Sequence, residues 1–391
     1  MVTTRATNAL QRAGLGLLAC LLLLGVDFAQ RDVVPAAARA AQFPLPATTP
    51  VNLVLKAQGL LPMPANTPAA HASNLLAMPV TYPASVMAFW FAGSRESAPD
   101  VQIAHSRFDR ATKTWTPARF VVNRHAVGDQ LGFGLRRLGN PVAWLDARGK
   151  IHLFVVATGL GGWAAGRIVH LVQKDSASGA DPLSPLSFMP VRVLPLSWLW
   201  NTSFLARATP MSLADGGMVL PVYFELGRKY PVALRFDAQG EFKGMTRISS
   251  RSNLLQPTLV PMGESNWLAL MRDNRLAGNV AVAQTLDGGQ TWHDLPKLAL
   301  INPDASIVGL TLSPQQHVLA HNSSPGSRRV LDLSQSANGR DWTLLHTLAQ
   351  GGDIAEFSYP AMAWAEGNLW VSYTDHRHVI AWQRFADGGA P

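Results

Sequence analysis

The chain has 391 residues, room for one large domain or two small ones, and is 48% hydrophobic but only 15% charged, with 32 Gly, 27 Pro and 12 Trp. The formal charge of +8 comes mostly from arginine, since only seven of the 33 basic residues are lysine. No long basic block or basic amphipathic helix gathers that charge, which argues against nucleic acid as a partner; guanidinium groups match carboxylates through paired hydrogen bonds, so an anionic small ligand or an acidic carbohydrate is expected instead.

In chain order, Arg5 and Arg12 precede an apolar run from Ala13 to Val26, the length of a signal peptide and short for a membrane span. Ala38-Arg39-Ala40 offers an A-x-A cleavage site, but it lies far beyond that run, so an inner-membrane anchor through residues 13–26 stays open as the alternative. Either way the protein is expected to be exported, whether periplasmic, anchored in the inner membrane or secreted. Cys20, the single cysteine, lies in the leader, so the exported part has neither disulfides nor thiolate chemistry. Residues 1–40 read as signal peptide or anchor with an Ala/Pro-rich tether that continues toward residue 66, and the folded domain is expected over 51–388.

From there, aromatic and β-branched runs alternate with Gly, Asp and Pro turns, and no long amphipathic helix interrupts them. Val86–Phe91, Ile151–Val156, Met218–Tyr223, Trp267–Met271 and Leu369–Tyr373 read as strands. Thr285-Leu-Asp287-Gly288-Gly289-Gln-Thr291-Trp292 reads as a hairpin turn: Asp287 accepts hydrogen bonds from its own turn, the glycines permit positive φ, and Trp292 should be a largely buried anchor. The expected role is structural. Weaker echoes occur at Ser336-Ala-Asn338-Gly339-Arg-Asp-Trp342, at Ser106–Asp109 leading to Trp115, at Lys174-Asp175 with Gly179, and at Asp237 with Gly240. A unit of about 50 residues with four strands has the size of a propeller blade.

The turn at 285–292 resembles the Asp box of sialidases and other BNR-repeat propellers. Residues His71 to Phe385 resemble the sialidase superfamily through Phe89-Trp-Phe-Ala-Gly93-Ser-Arg95-Glu96, Gly139-Asn-Pro-Val142, Leu220-Pro-Val-Tyr-Phe-Glu225, Met271-Arg-Asp-Asn274 and Glu356-Phe-Ser-Tyr359-Pro360. The resemblance implies an all-β, six-bladed β-propeller acting on acidic glycans, as an exo-glycoside hydrolase or as a non-catalytic binder; a uronate-directed lyase is a further alternative. It implies Tyr359 as nucleophile and Arg272 and Arg328 (or its neighbour Arg329), with Arg95 as a further candidate, on the substrate carboxylate. Glu96 or Asp100, in a loop after the first inner strand, is the candidate acid/base, and His71 at the mouth of the first blade is a candidate anion binder or proton donor near neutral pH. Sialidases depart from the two-carboxylate scheme of most glycosidases by using a tyrosine nucleophile with a glutamate partner. Where that glutamate is expected, sixteen residues before Arg272, this chain has Gln256, with Glu225 and Glu356 as substitutes. Where the family has Arg-Ile-Pro, this chain has His71-Ala72-Ser73-Asn74. Tyr373-Thr-Asp-His-Arg377 is a polar turn without a second cluster at metal-ligand spacing, and neither metal nor cofactor is expected.

Overall fold

The computed structural model describes residues 2–31, 34–46, 50–159, 161–174, 186–275 and 278–389. Six antiparallel sheets stand in a ring, forming a six-bladed β-propeller. Blade 1 runs Ala69–Ala77, Ala84–Gly93, Gln102–Asp109 and Arg119–Val122. Blade 2 runs Arg137–Leu145, Ile151–Thr158, Arg167–Gln173 and Phe188–Val193. Blade 3 runs Phe204–Ala206, Met218–Phe224, Tyr230–Phe236 and Phe242–Arg247, with Met211–Ser212 also on its second strand. Blade 4 is Leu254–Pro261, Trp267–Asp273, Ala281–Thr285 and His293–Leu295, and blade 5 is Val308–Ser313, Gln316–Asn322, Val330–Ser336 and Thr343–Gln350. Blade 6 takes Phe357–Ala365, Asn368–Asp375 and Val379–Asp387 from the end of the chain and its outermost strand, Leu53–Leu60, from the beginning. That pairing, from Leu53 opposite Asp387 to Leu60 opposite Ala381, closes the ring by joining the two ends of the propeller segment in one blade.

The first strands of neighbouring blades pack on one another at the axis, except that the first strand of blade 4 packs chiefly on the second strand of blade 3, Met218–Phe224. Second strands such as Ala84–Gly93, Ile151–Thr158 and Trp267–Asp273 are buried along their whole length, because adjacent blades cover both faces. This is why they read in the sequence as unbroken apolar runs rather than as alternating ones.

The Asp-type turns sit at one place in their blades, between third and fourth strands. Asp287 accepts from Gln290 N (3.0 Å), Thr291 N (2.9 Å) and Thr285 Oγ1 (2.7 Å); Asn338, Asp237 and Asp109 each accept two backbone N–H bonds in the equivalent turns of blades 5, 3 and 1. Asp175 and Gly179 lie outside the described residues. Burial opposes the ionisation of Asp287, but its hydrogen bonds outweigh it and hold the pKa below the usual aspartate range. Trp292 and Trp342 occupy equivalent positions, each just before a fourth strand, but are half-buried rather than largely buried, since those strands are outermost. Asp287→Ala is expected to cost about 1–2 kcal/mol of unfolding free energy in chemical denaturation, with ligand binding intact. Loss of binding by a folded variant would make the box functional.

The Ala/Pro-rich segment does not run free. Ala38 N donates to Gly288 O (3.1 Å), Ala40 N to Glu264 O (2.7 Å), Ala41 N to Ser212 O (3.0 Å) and Leu45 N to Leu312 O (2.9 Å), so it crosses blades 4, 3 and 5 in turn. Gly288 (φ 68°) is required for this approach, because a Cβ there would run into the backbone of Ala38. The segment covers one end of the axis, where Gln42 and Phe43 face Leu76, Thr209, Thr311 and Met362 across a cavity of about 420 Å³. A short helix, Arg124–Leu131, joins blades 1 and 2, started by Asn123 and stopped by Gly132 in the left-handed region. Residues Val2–Arg31 form a helix; among the described residues no helix is long and apolar enough to cross a membrane.

Candidate functional site

The other end of the axis is built by one recurring irregularity. In four inner strands two residues drop out of the pairing near the strand start: Ala72-Ser73, Asn140-Pro141, Gln256-Pro257 and Tyr359-Pro360. The first of each pair has positive φ (55°, 42°, 47° and 54°). Bulges re-aim side chains, and left-handed backbone at non-glycine residues costs about 1–3 kcal/mol each, a strain that clusters at functional sites. Here it turns Gln256 and Tyr359, which are 103 residues apart, toward each other.

Gln256 is the hub. Arg272 Nη1 donates to its Oε1 at 3.0 Å, which orients the amide so that Nε2 faces two phenols. Nε2 donates to the hydroxyl oxygens of Tyr359 and Tyr223, each at 3.4 Å. The polarity matters chemically, because the phenol of Tyr359 meets a donor where a glutamate would have been a proton acceptor. Gln256 is buried at the position where the resemblance implied a glutamate.

Arg272 is buried, and its Nε donates to Asp304 Oδ1 at 2.7 Å. Asp304 also accepts from Asn274 (2.9 Å), and its carbonyl accepts from Arg328 Nη2 (2.8 Å). Burial works against the ionisation of Asp304 and the Arg272 bond outweighs it, so the carboxylate stays below its ordinary pKa. Arg328 Nη1 donates to Glu356 Oε1 (3.1 Å), and Arg377 grips both oxygens of Glu356 (2.9 and 2.8 Å) and also pairs with Glu96. Burial opposes the ionisation of Glu356 too, but the Arg377 and Arg328 contacts hold its pKa down. The two hypothesised substitutes for the missing glutamate therefore separate. Glu356 is fully engaged by arginines. Half-buried Glu225 has no hydrogen bond or ion pair to its carboxylate among the described residues, and burial pushes its pKa up against the pull of Lys229 and Arg272.

Other candidates are placed differently. Asp100 folds back on its own loop, accepting from Ser94 N and Ser94 Oγ, both at 2.9 Å, and these bonds overcome burial to depress its pKa. It is ill suited to giving up a proton near neutral pH. Arg95 is exposed on that loop, and no hydrogen bond or ion pair joins it to the cluster among the described residues. His71 does face the nucleophile candidate, with ring centroids 4.2 Å apart, but it is buried and neither ring nitrogen has a hydrogen-bond partner among the described residues. Burial, followed by the charges of Arg377, Arg207 and Arg328, drives its pKa well below 6.5. It is a neutral ring at the site, not a cationic anion binder.

Four contributors were not legible as site residues. Arg207 is buried, with its guanidinium 5.0 Å from the centre of the Tyr359 ring and bonds to the carbonyls of Ser73 (3.2 Å) and Pro360 (2.9 Å). No carboxylate pairs with it among the described residues, and burial lowers its pKa to about 10. Arg377 lies in the turn read as a polar loop; its carbonyl accepts from Ala70 N (3.0 Å), which sets it beside the strand start where the family's first arginine is missing. Asp304 and Tyr223 complete the set. Four guanidiniums (Arg207, Arg272, Arg328, Arg377) thus meet four carboxylates (Glu96, Glu225, Asp304, Glu356) around one tyrosine pair. Among the described residues no three His, Cys, Asp or Glu side chains are grouped to hold a metal ion.

A six-bladed propeller with Asp-type turns and an arginine- and tyrosine-lined axial mouth is a sialidase-like BNR-repeat protein. A sequence-family profile described as BNR repeat-like domain matches residues 84–371, and the chain belongs to that family. No curated protein matches it. Among solved structures, Trypanosoma rangeli sialidase superposes with a TM-score of 0.66 at 12% identity, over 85% of this chain and 60% of that one. The same sialidase in complex with sialic acid gives 0.64 at 13% identity, over 88% and 60%. A protein of unknown function from Dyadobacter fermentans gives 0.61 at 12% identity, over 86% of this chain and 99% of that one. The chain thus spans 60% of the length of that sialidase, and at these identities the likeness shows the fold.

Proposed function

We propose that the axial mouth recognises the carboxylate of an acidic sugar, and that this exported propeller is a binder of acidic glycans in which tyrosine–glutamate hydrolysis is switched off. The observation that carries this reading is the polarity at Tyr359, whose hydroxyl accepts from Gln256 and has no carboxylate bonded to it among the described residues. Arg272, Arg328 and Arg377 are the guanidiniums for the anion, with Arg207 adding a buried charge behind the tyrosine ring. A fold neighbour that binds sialic acid supports a sugar partner. The reading of the chain as an exo-glycoside hydrolase requires a base at Tyr359 and an available acid, whereas Gln256 and the turned-in Asp100 supply neither.

The test is a binding and turnover screen of the purified chain against sialosides, uronate-containing oligosaccharides and neutral sugars. Carboxylated sugars should bind without release of product. Equal affinity for neutral sugars, or sialoside turnover at enzymatic rates, would overturn the proposal.

A pH dependence follows from Glu225. Protonating it leaves four arginines facing three carboxylates, so binding of a carboxylated sugar should tighten as pH falls through its raised pKa, above the ordinary glutamate range. Glu225→Gln should flatten that rise in calorimetric titrations. The same ionisation is unfavourable to folding, so its stability contribution is present below the ordinary glutamate pKa and lost as pH rises through the folded one.

A further inference from the structure

The flank of the disc at blades 3 and 4 carries an apolar surface that the axial site does not use. It begins at the leader helix, whose leucines from Leu15 to Leu24 are exposed. Near the end of that helix the carboxylate of Asp27 is buried and accepts from Ser197 Oγ (2.8 Å), Trp198 N (2.8 Å) and Leu199 N (2.9 Å). Burying an ionised group requires such bonds, so this contact fixes where the helix leaves the body: at the loop joining blade 2 to blade 3. On that loop Trp198 is 60% exposed and Trp200 52%, with Leu199 exposed between them. Directly beside it opens a groove of about 780 Å³, lined by Trp200, Phe224, Leu226, Tyr230, Met245 and Trp292. Arg228 and Arg247 also line it; Arg247 lies over the Tyr230 ring at 4.6 Å, and Arg228 pairs with no carboxylate among the described residues.

Two neighbouring exposed tryptophans cost solubility, and contiguous exposed apolar surface marks an interaction site. Tryptophan is favoured at the membrane–water boundary, where its apolar body and N–H are both satisfied, and arginine there meets anionic headgroups. An apolar helix leaving at the same loop puts a lipid surface within reach of that loop and groove. A groove of this size suits one flexible apolar ligand.

We propose that this flank rests on a membrane surface containing anionic lipid: Trp198, Leu199 and Trp200 insert at the interface beside the leader helix, and the groove takes an acyl chain from the same leaflet. The disc then stands edge-on, with its axial mouth open along the surface rather than pressed against it. The helix need only lie in or enter the leaflet for this geometry.

The test uses the full chain with Cys20→Ser and one added cysteine carrying an environment-sensitive fluorophore, either Leu226→Cys at the groove or Lys56→Cys on blade 6, three blades away around the ring. With vesicles of phosphatidylcholine and phosphatidylglycerol, the probe at 226 should shift to the blue and be quenched by lipid-borne nitroxide, while the probe at 56 stays unchanged. Adding Trp198→Ser and Trp200→Ser should remove most of the shift at 226 while the leader still carries the chain down with the vesicles. Equal responses at 226 and 56, or a full shift that survives both tryptophan replacements, would overturn the proposal. So would a shift at 226 that grows with protein concentration and needs no vesicles, which would assign the flank to self-association.

Discussion

Replacing Gln256 by glutamate is expected to give this chain measurable cleavage of an aryl sialoside, a gain of about a hundred-fold or more over the parent. The substitution changes one heavy atom and turns a donor to two phenols, Tyr359 and Tyr223, into an acceptor. Arg272 already donates to the oxygen of that side chain at 3.0 Å, so a carboxylate there would keep its anchor. Its second oxygen would replace the nitrogen that now lies 3.4 Å from the Tyr359 hydroxyl, and the phenol would meet a proton acceptor instead of a donor. With an unperturbed pKa near 10, a phenol attacks poorly unless a neighbour takes its proton. An aryl leaving group is chosen because it needs no general acid, so the diversion of Asp100 onto Ser94 cannot mask the result. Tyr359→Phe in the same background should abolish the gain. If Gln256→Glu folds, binds sugar and still gives no product, Tyr359 is not placed for attack at an anomeric carbon and the likeness to sialidases stops at the fold.

The architecture was legible because it is local. A hairpin turn at 285–292 with Asp, Gly, Thr and Trp at fixed offsets is specified by a few neighbouring residues, and its echoes at Asn338, Asp237 and Asp109 fall in the same turn of their blades. The site was legible where the family spacing carried it, at Arg272, Arg328, Tyr359 and Gln256, and where a titratable residue marked a strand end or loop, at His71, Glu96, Glu225 and Glu356. Arg377 was not, because it reaches the mouth from the last hairpin while the family motif it offsets lies at the first inner strand; nothing within either stretch records that they are neighbours through Ala70. Arg207 and Asp304 are single polar residues in apolar or turn-rich surroundings, where an ordinary surface charge looks the same. One signal was present and unused: Asn140-Pro141, Gln256-Pro257 and Tyr359-Pro360 recur at the starts of inner strands, and all three mark the bulge. Proline interrupts strand pairing, so such a repeat points to where side chains leave the sheet for the axis.

Arg272→Lys should weaken binding of a carboxylated sugar about ten- to hundred-fold while leaving the chain folded. The guanidinium has five N–H donors; Nε serves Asp304 and one Nη1 hydrogen serves Gln256, so the remaining edge is available for a ligand carboxylate without releasing the frame. A lysine ammonium keeps the charge for Asp304 but offers it from a single point, and can satisfy the frame or the ligand, not both in plane. Charge-assisted bonds contribute about 1.5–3 kcal/mol each, and each 1.4 kcal/mol corresponds to tenfold in affinity, so losing one such bond gives the stated range. Calorimetric titration with a sialoside and with its neutral galactoside core separates the outcomes. A carboxylate site loses affinity for the first and not for the second; equal loss for both would mean that Arg272 shapes the pocket, and unchanged affinity would place the anion elsewhere. Arg377→Lys should behave in the same direction with a smaller loss, because both oxygens of Glu356 and the carboxylate of Glu96 already occupy much of its fork.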